Sequence, residues 1–156
     1  IFFASGPIGA VMFPLVSQKK AQGKSYKQVF LYSFLLTTIL ACVILLFYWW
    51  FPKVALNLLY GSLYLEAADL LIWLGIFMTL FTLSSLMINF HLSLGRTKAM
   101  VLPAIAAIGQ ALGIWFYHDS LKTVITVSIV ISFFLLASLC LYTLLETKQR
   151  NDEQAP

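Results

Sequence analysis

Between Asp69 and His91 the chain carries no charged side chain. About 20 residues rising about 1.5 Å each as a helix cover the roughly 30 Å hydrocarbon core of a bilayer. A helix at the surface of a water-soluble core needs one apolar stripe, and this stretch is apolar on every side. It therefore reads as a transmembrane helix over residues 69–90, and that assignment constrains the rest of the chain.

Composition agrees with that class. Of 156 residues, 61% are hydrophobic and 10% charged, where soluble domains carry about 25% charged residues. Apolar runs at 1–16, 29–51, 99–117 and 123–145 join the central one to give an all-α, polytopic transmembrane helix bundle of about five spans. Residues 146–156 are polar, carry both signs of charge and read as a disordered tail. The first run is short for a span, and the chain begins at Ile1 with neither an initiator Met nor a charged leader. The expectation is a helix that starts upstream, in a longer protein of which this is the C-terminal part.

The net charge of +4 sits in short turns between apolar runs. Basic residues so placed report topology, and no nucleic-acid partner is expected. With residues 17–28 inside, the inner segments hold Lys19, Lys20, Lys24, Lys27, Arg96, Lys98, Lys148 and Arg150. The outer segments hold only Lys53 and Lys122. This alternation places loop 17–28 and the C-terminal tail in the cytoplasm and makes the chain a multi-pass protein with membrane lipid as its surroundings; the cytoplasmic (plasma) membrane is the expected location. The lysines of 17–28 also suit anionic lipid headgroups or a lipid pyrophosphate.

Several local features carry two readings each. The aromatic cluster from Phe47 to Phe51 marks a headgroup-level belt, or alternatively a platform for stacking sugars. Beyond Pro52, Val54, Leu58 and Leu65 are expected to bury an apolar edge while Asn57, Glu66 and Asp69 face water. Pro14 reads as a helix terminator at the interface or as a hinge. His91 reads as an interfacial side chain or a proton relay, and Ser84, Ser85 and Asn89 as hydrogen-bonding groups toward neighbouring helices. Ala106, Gly109 and Gly113 share one helical face, with the spacing that lets two backbones approach. Gln110 borders that face and needs a partner inside the protein. The face serves packing within the chain or, alternatively, homodimerisation.

No catalytic constellation is visible, and neither an enzyme nor a cofactor is expected. Cys42 and Cys140 lie in apolar runs without metal-type spacing, so no metal site and no disulfide framework are expected. No Asp, Glu, Lys or Arg stands near the middle of a span, where ion-coupled transporters place costly functional charges. No substrate-binding residue is assigned, and any coupling charges are expected upstream of Ile1.

Taken in order, three segments carry a family likeness. The first is Met12, Phe13, Pro14, Leu15, Val16 and Ser17, followed by a lysine-bearing loop and a span. The second runs from Leu58 through Tyr60, Gly61 and Ser62 to Tyr64, and the third is a span ending in Leu94, Gly95, Arg96, Thr97 and Lys98. This order resembles the polysaccharide biosynthesis, O-antigen exporter type branch of the multidrug/oligosaccharidyl-lipid/polysaccharide flippase superfamily. The resemblance covers residues 12–142. It implies the C-terminal lobe of a two-lobe transporter, with an N-terminal lobe upstream as partner. The implied substrate is a lipid-linked oligosaccharide on a polyprenyl pyrophosphate, moved from the inner to the outer leaflet by alternating access. Pro14 matches the proline ending the lobe's second helix, Gly61 and Tyr64 the outer turn, and Gly95, Arg96 and Lys98 the inner turn. The turn from His118 to Lys122 departs from the glycine-rich segment often found between the last two helices. Two alternatives accompany this reading: a cation-coupled multidrug antiporter of the same superfamily, and a small integral-membrane protein that self-associates through Ala106, Gly109 and Gly113.

Overall fold

A computed structural model of the chain describes residues 1–61 and 68–152. Among these the chain forms six α-helices: α1 (Phe2–Ala21), α2 (Lys27–Trp50), α3 (Pro52–Tyr60), α4 (Ala68–Ser93), α5 (Val101–Phe116) and α6 (Leu121–Asp152). A 3-10 turn (Thr97–Met100) leads into α5, and no strand occurs among the described residues. The all-α bundle read from the sequence is what is found. Four helical stretches are long and apolar enough to cross a membrane: Lys27–Trp50, Ala68–Ser93, Thr97–Phe116 and Leu121–Glu146. The protein is membrane-embedded and multi-pass. α1 falls outside this set because two prolines and the terminal Lys19 and Lys20 dilute its apolar content. Its Phe2 ring lies 5.8 Å from that of Phe81, about halfway along α4.

α4 is the hub, packing against α1, α2, α3 and α6. Its ends anchor two separate cores. At one end Leu86, Phe90 and Leu94 enclose Met12 and Val16 of α1, with Phe30 of α2 stacked on Phe90 at 4.0 Å. At the other, Ala68 and Leu71 pack against Ala55 and Leu56 of α3, with Tyr48 alongside. The first end also gathers Lys20 and Arg96, and the second carries Trp49, Trp50 and Trp73, so they are called here the basic end and the aromatic end. The remaining surface is greasy: Leu31, Leu35, Ile39 and Val43 along α2 and Ile105, Ile108 and Leu112 along α5 are all exposed. So continuous an apolar patch would be a liability in water and is the normal outer face of a helix in lipid.

Several boundaries differ from the sequence reading, each for a local reason. α1 does not end at Pro14 but continues to Ala21, so the lysines at 19 and 20 are helical. Pro14 removes one backbone donor, and the burial of Met12 and Val16 against α4 holds the helix through that gap. In α3 the buried pair is Ala55 and Leu56, while Val54 and Leu58 are exposed with Asn57. Val54 and Leu58 share a helical face, and it is the face turned away from Leu71. Leu65 and Glu66 lie outside the described residues, and Asp69 is exposed as expected. α6 does not stop at Leu145 but runs to Asp152, because Glu146 is held by a partner on α4's trailing turn.

Candidate functional site

The most elaborate polar chemistry lies at the basic end, where α4 terminates. Gly95 has φ +67°, a left-handed conformation that favours glycine, and it lets the Arg96 N–H turn back to the His91 carbonyl at 3.0 Å. That bond closes the helix by a six-to-one contact and satisfies a carbonyl left without a helical donor. The turn so formed offers its remaining carbonyls to α1. Ser17 Oγ donates to the Ser93 carbonyl at 3.1 Å, and Lys20 Nζ donates to the Leu94 carbonyl.

The same turn holds α6. Arg96 Nε donates to Glu146 Oε1 at 2.7 Å, the two side chains being 15% and 29% exposed. One turn deeper, His91 is fully buried and its Nε2 lies 3.0 Å from Thr143 Oγ1. Thr143 Oγ1 donates to the Leu139 carbonyl at 2.8 Å. The Thr143 hydroxyl thus bridges the imidazole and the backbone of α6, while Nδ1 is buried with no hydrogen-bond partner among the described residues. Tyr142 meets the ring edge-on at 5.2 Å. His91 is therefore a strut inside the bundle and not the interfacial side chain that its position in the sequence implied. We expect His91→Ala to destabilise the protein by about 3 kcal/mol, as large buried side chains do on truncation. His91→Phe keeps the ring contacts, loses the bond to Thr143 and is expected to cost about 1 kcal/mol. Equilibrium unfolding in mixed micelles measures both.

The resemblance-matched residues fall into separate places. Gly95 and Arg96 belong to this junction, whereas Lys98 is exposed beside it. Pro14 sits inside α1 on an exposed face. Gly61 ends α3 with φ +81°, a turn conformation suited to glycine, and Tyr64 lies outside the described residues.

The α5 face is also divided. Gln110 Nε2 donates to Ser128 Oγ of α6 at 3.2 Å, the internal partner its position called for. A Cβ at Gly113 would lie 2.7 Å from Val127 Cγ1, while one at Gly109 would meet nothing within 4 Å. Ala106, on the same side, is half-buried. The close approach thus uses Gly113 and leaves Gly109 open. A second tight approach, unmarked in the sequence, joins α2 to α4 at Gly75, where a Cβ would lie 2.7 Å from Leu45 Cδ2.

At the aromatic end Lys122 Nζ lies 5.8 Å from the centroid of the Trp73 ring, a cation–π pair between α6 and α4. Nearby, a cavity of about 680 Å³ is walled by Phe2, Tyr48, Leu71, Met78, Phe81 and Ile125 among others, and is largely apolar. Ser84 donates to the Leu80 carbonyl of its own helix instead of to a neighbour. Cys140 Sγ lies 3.5 Å from Met87 Sδ, and Cys42 is exposed on the outer face of α2. Among the described residues no three His, Cys, Asp or Glu side chains come together. The described residues thus offer structural locks at the two ends and hydroxyl groups between them.

No family model, no curated protein and no solved structure matches the chain.

Proposed function

We propose that this chain is part of a membrane transporter that flips lipid-linked oligosaccharide precursors across the cytoplasmic membrane. The observation that carries the reading is the order of its turns: the Gly95 and Arg96 turn of the resemblance is also where α1, α4 and α6 are tied together. Such a junction supports a lobe that moves as one body, as alternating access requires. The basic end faces the cytoplasm, because eight of the ten Lys and Arg residues lie in the segments assigned to it. The substrate is a polyprenyl-pyrophosphate-linked sugar chain, an N-terminal lobe completes the cavity around it, and no covalent chemistry is involved. The charges that meet the pyrophosphate belong to that other lobe, since no Lys or Arg stands near the middle of the spans described here.

Depletion of the full-length protein in its host tests this. We expect lipid-linked oligosaccharide to accumulate in the inner leaflet and surface polysaccharide to fall. Unchanged levels of both would remove the proposal. Loss of gradient-dependent export of small organic cations, with normal surface polysaccharide, would point to the antiporter alternative instead.

A further inference from the structure

Midway between the two cores, α1, α2 and α4 line a second, half-open cavity of about 140 Å³ whose lining is unlike the rest of the bundle. Five hydrogen-bonding side chains line it: Ser5 from α1, Thr37 from α2, and Thr82, Ser85 and Asn89 from α4. The α4 residues recur at i, i+3 and i+7 and so share one face. Thr37 is 1% exposed and Thr82 5%, and neither hydroxyl oxygen has a hydrogen-bond partner among the described residues. Ser5 Oγ is committed to the Ile1 and Phe2 carbonyls at 3.1 Å each. Ala10 also lines the cavity, and Pro14, four residues on, has no N–H to give its carbonyl.

Thr37 lies near the middle of α2 and Thr82 near the middle of α4. At that depth an unpartnered hydroxyl faces hydrocarbon or protein and is costly, because nothing in a bilayer replaces the lost hydrogen bond. A threonine ordinarily escapes that cost by donating to the carbonyl four residues back, as Thr38 does to Phe34 at 2.8 Å and Thr79 to Gly75 at 2.9 Å. Thr37 and Thr82 do not, and both line the same space.

We propose that this cavity is a hydrated site in the middle of the bundle, holding a small cluster of water molecules between Thr37 and Thr82. At about 30 Å³ per molecule the space accommodates about four. Each water needs two to four polar partners, and hydroxyls, an amide and a carbonyl deprived of its helical donor supply both donors and acceptors. None of the lining side chains among the described residues is charged, which favours a neutral occupant over an ion. The inference is independent of what the protein transports. Its consequence is mechanical: water at the α1 contact lets this proline-containing helix shift against α2 and α4 without stranding a polar group.

Cysteine accessibility tests it in the full-length protein in native membranes, with Cys42 and Cys140 replaced by alanine. The probe is a small, water-soluble methanethiosulfonate. Because the thiolate reacts and apolar burial suppresses it, Thr37→Cys and Thr82→Cys are expected to react at least about tenfold faster than Ser84→Cys. Ser84 is equally buried two residues away and does not line the cavity. Equal, slow reaction at all three positions overturns the proposal. A second measurement uses Thr37→Val and Thr82→Val, which keep shape and delete the hydroxyl. A hydrated site predicts that each lowers the thermal midpoint and that the pair is non-additive, since the two share waters. A dry cavity with stranded hydroxyls predicts the opposite sign, because removing an unsatisfied polar group stabilises. Protection of Thr82→Cys by sodium, but not by potassium or choline, would make the occupant a cation and also overturn the proposal.

Discussion

Gly113→Leu is expected to separate α5 from α6, whereas Gly109→Leu leaves the two helices together. α5 has no buried residue of its own and rests against α6 and the 3-10 turn. The contact depends on backbone proximity at Gly113, where even a Cβ would lie 2.7 Å from Val127 Cγ1 and 3.6 Å from Ile131 Cδ1. Overpacking costs about 1–3 kcal/mol in well-packed sites, and a leucine here belongs at the upper end because Val127 is branched at the contact. Gly109 has open space, so the added side chain enters lipid at little cost. The readout is a cross-link by a short bifunctional thiol reagent between cysteines placed at Gln110 and Ser128, since the native side chains already meet across the two helices. It should form in the parent and in Gly109→Leu and fail in Gly113→Leu. If both substitutions abolished a homodimer and neither disturbed the cross-link, the face would serve self-association.

Arg96→Ala is expected to cost about 2–4 kcal/mol, below the range for fully buried pairs because both partners retain some exposure. The loss exceeds that of a surface ion pair because Glu146 Oε2 is buried with no hydrogen-bond partner among the described residues, so the contact of Oε1 with Arg96 is what holds the carboxylate. Removing Arg96 strands that charge, and Arg96→Ala with Glu146→Ala should therefore be less destabilising than Arg96→Ala alone. The order of unfolding midpoints decides it. Hydrogen exchange adds a local readout, because the last turns of α6 continue past Glu146 to Asp152 and should fray when the pair is broken. Equal stability of parent and Arg96→Ala would show that the pair is an exposed ion pair of little weight.

What the sequence disclosed follows from which forces act along the chain and which act between segments. Uncharged length alone identified α4, α2 and α6, because backbone satisfaction in hydrocarbon leaves a helix as the answer. Gly61 and Gly95 marked turns because their conformations suit a residue without a side chain. Partners across helices were much less legible. Arg96 was visible as a basic residue in a turn, but its partner Glu146 looked like the start of a solvated tail. The spacing of Gly109 and Gly113 placed both on one face without disclosing that only one of them opposes a bulky neighbour. Pro14 punctuated the pattern of α1 as a stop, and tertiary burial of Met12 and Val16 overrode it. Thr37 and Thr82 were single hydroxyls in apolar runs, and only their convergence on one cavity distinguishes them from Thr38 and Thr79.

The ends of the bundle carry the whole account, since the locks, the mid-depth cavity and the transport reading all presuppose them. Ser25 and Thr97 lie at the basic end, and Lys53, in the first turn of α3, and Asp119 at the aromatic end. The decisive measurement is labelling by a membrane-impermeant maleimide in sealed vesicles of known orientation. Each of the four positions is replaced singly by cysteine in full-length protein lacking Cys42 and Cys140. Positions 25 and 97 are expected to label from the cytoplasmic side only, and 53 and 119 from the opposite side only. Labelling of any basic-end position together with an aromatic-end position from the same side would contradict the crossing of the membrane by α2, α4 and α5.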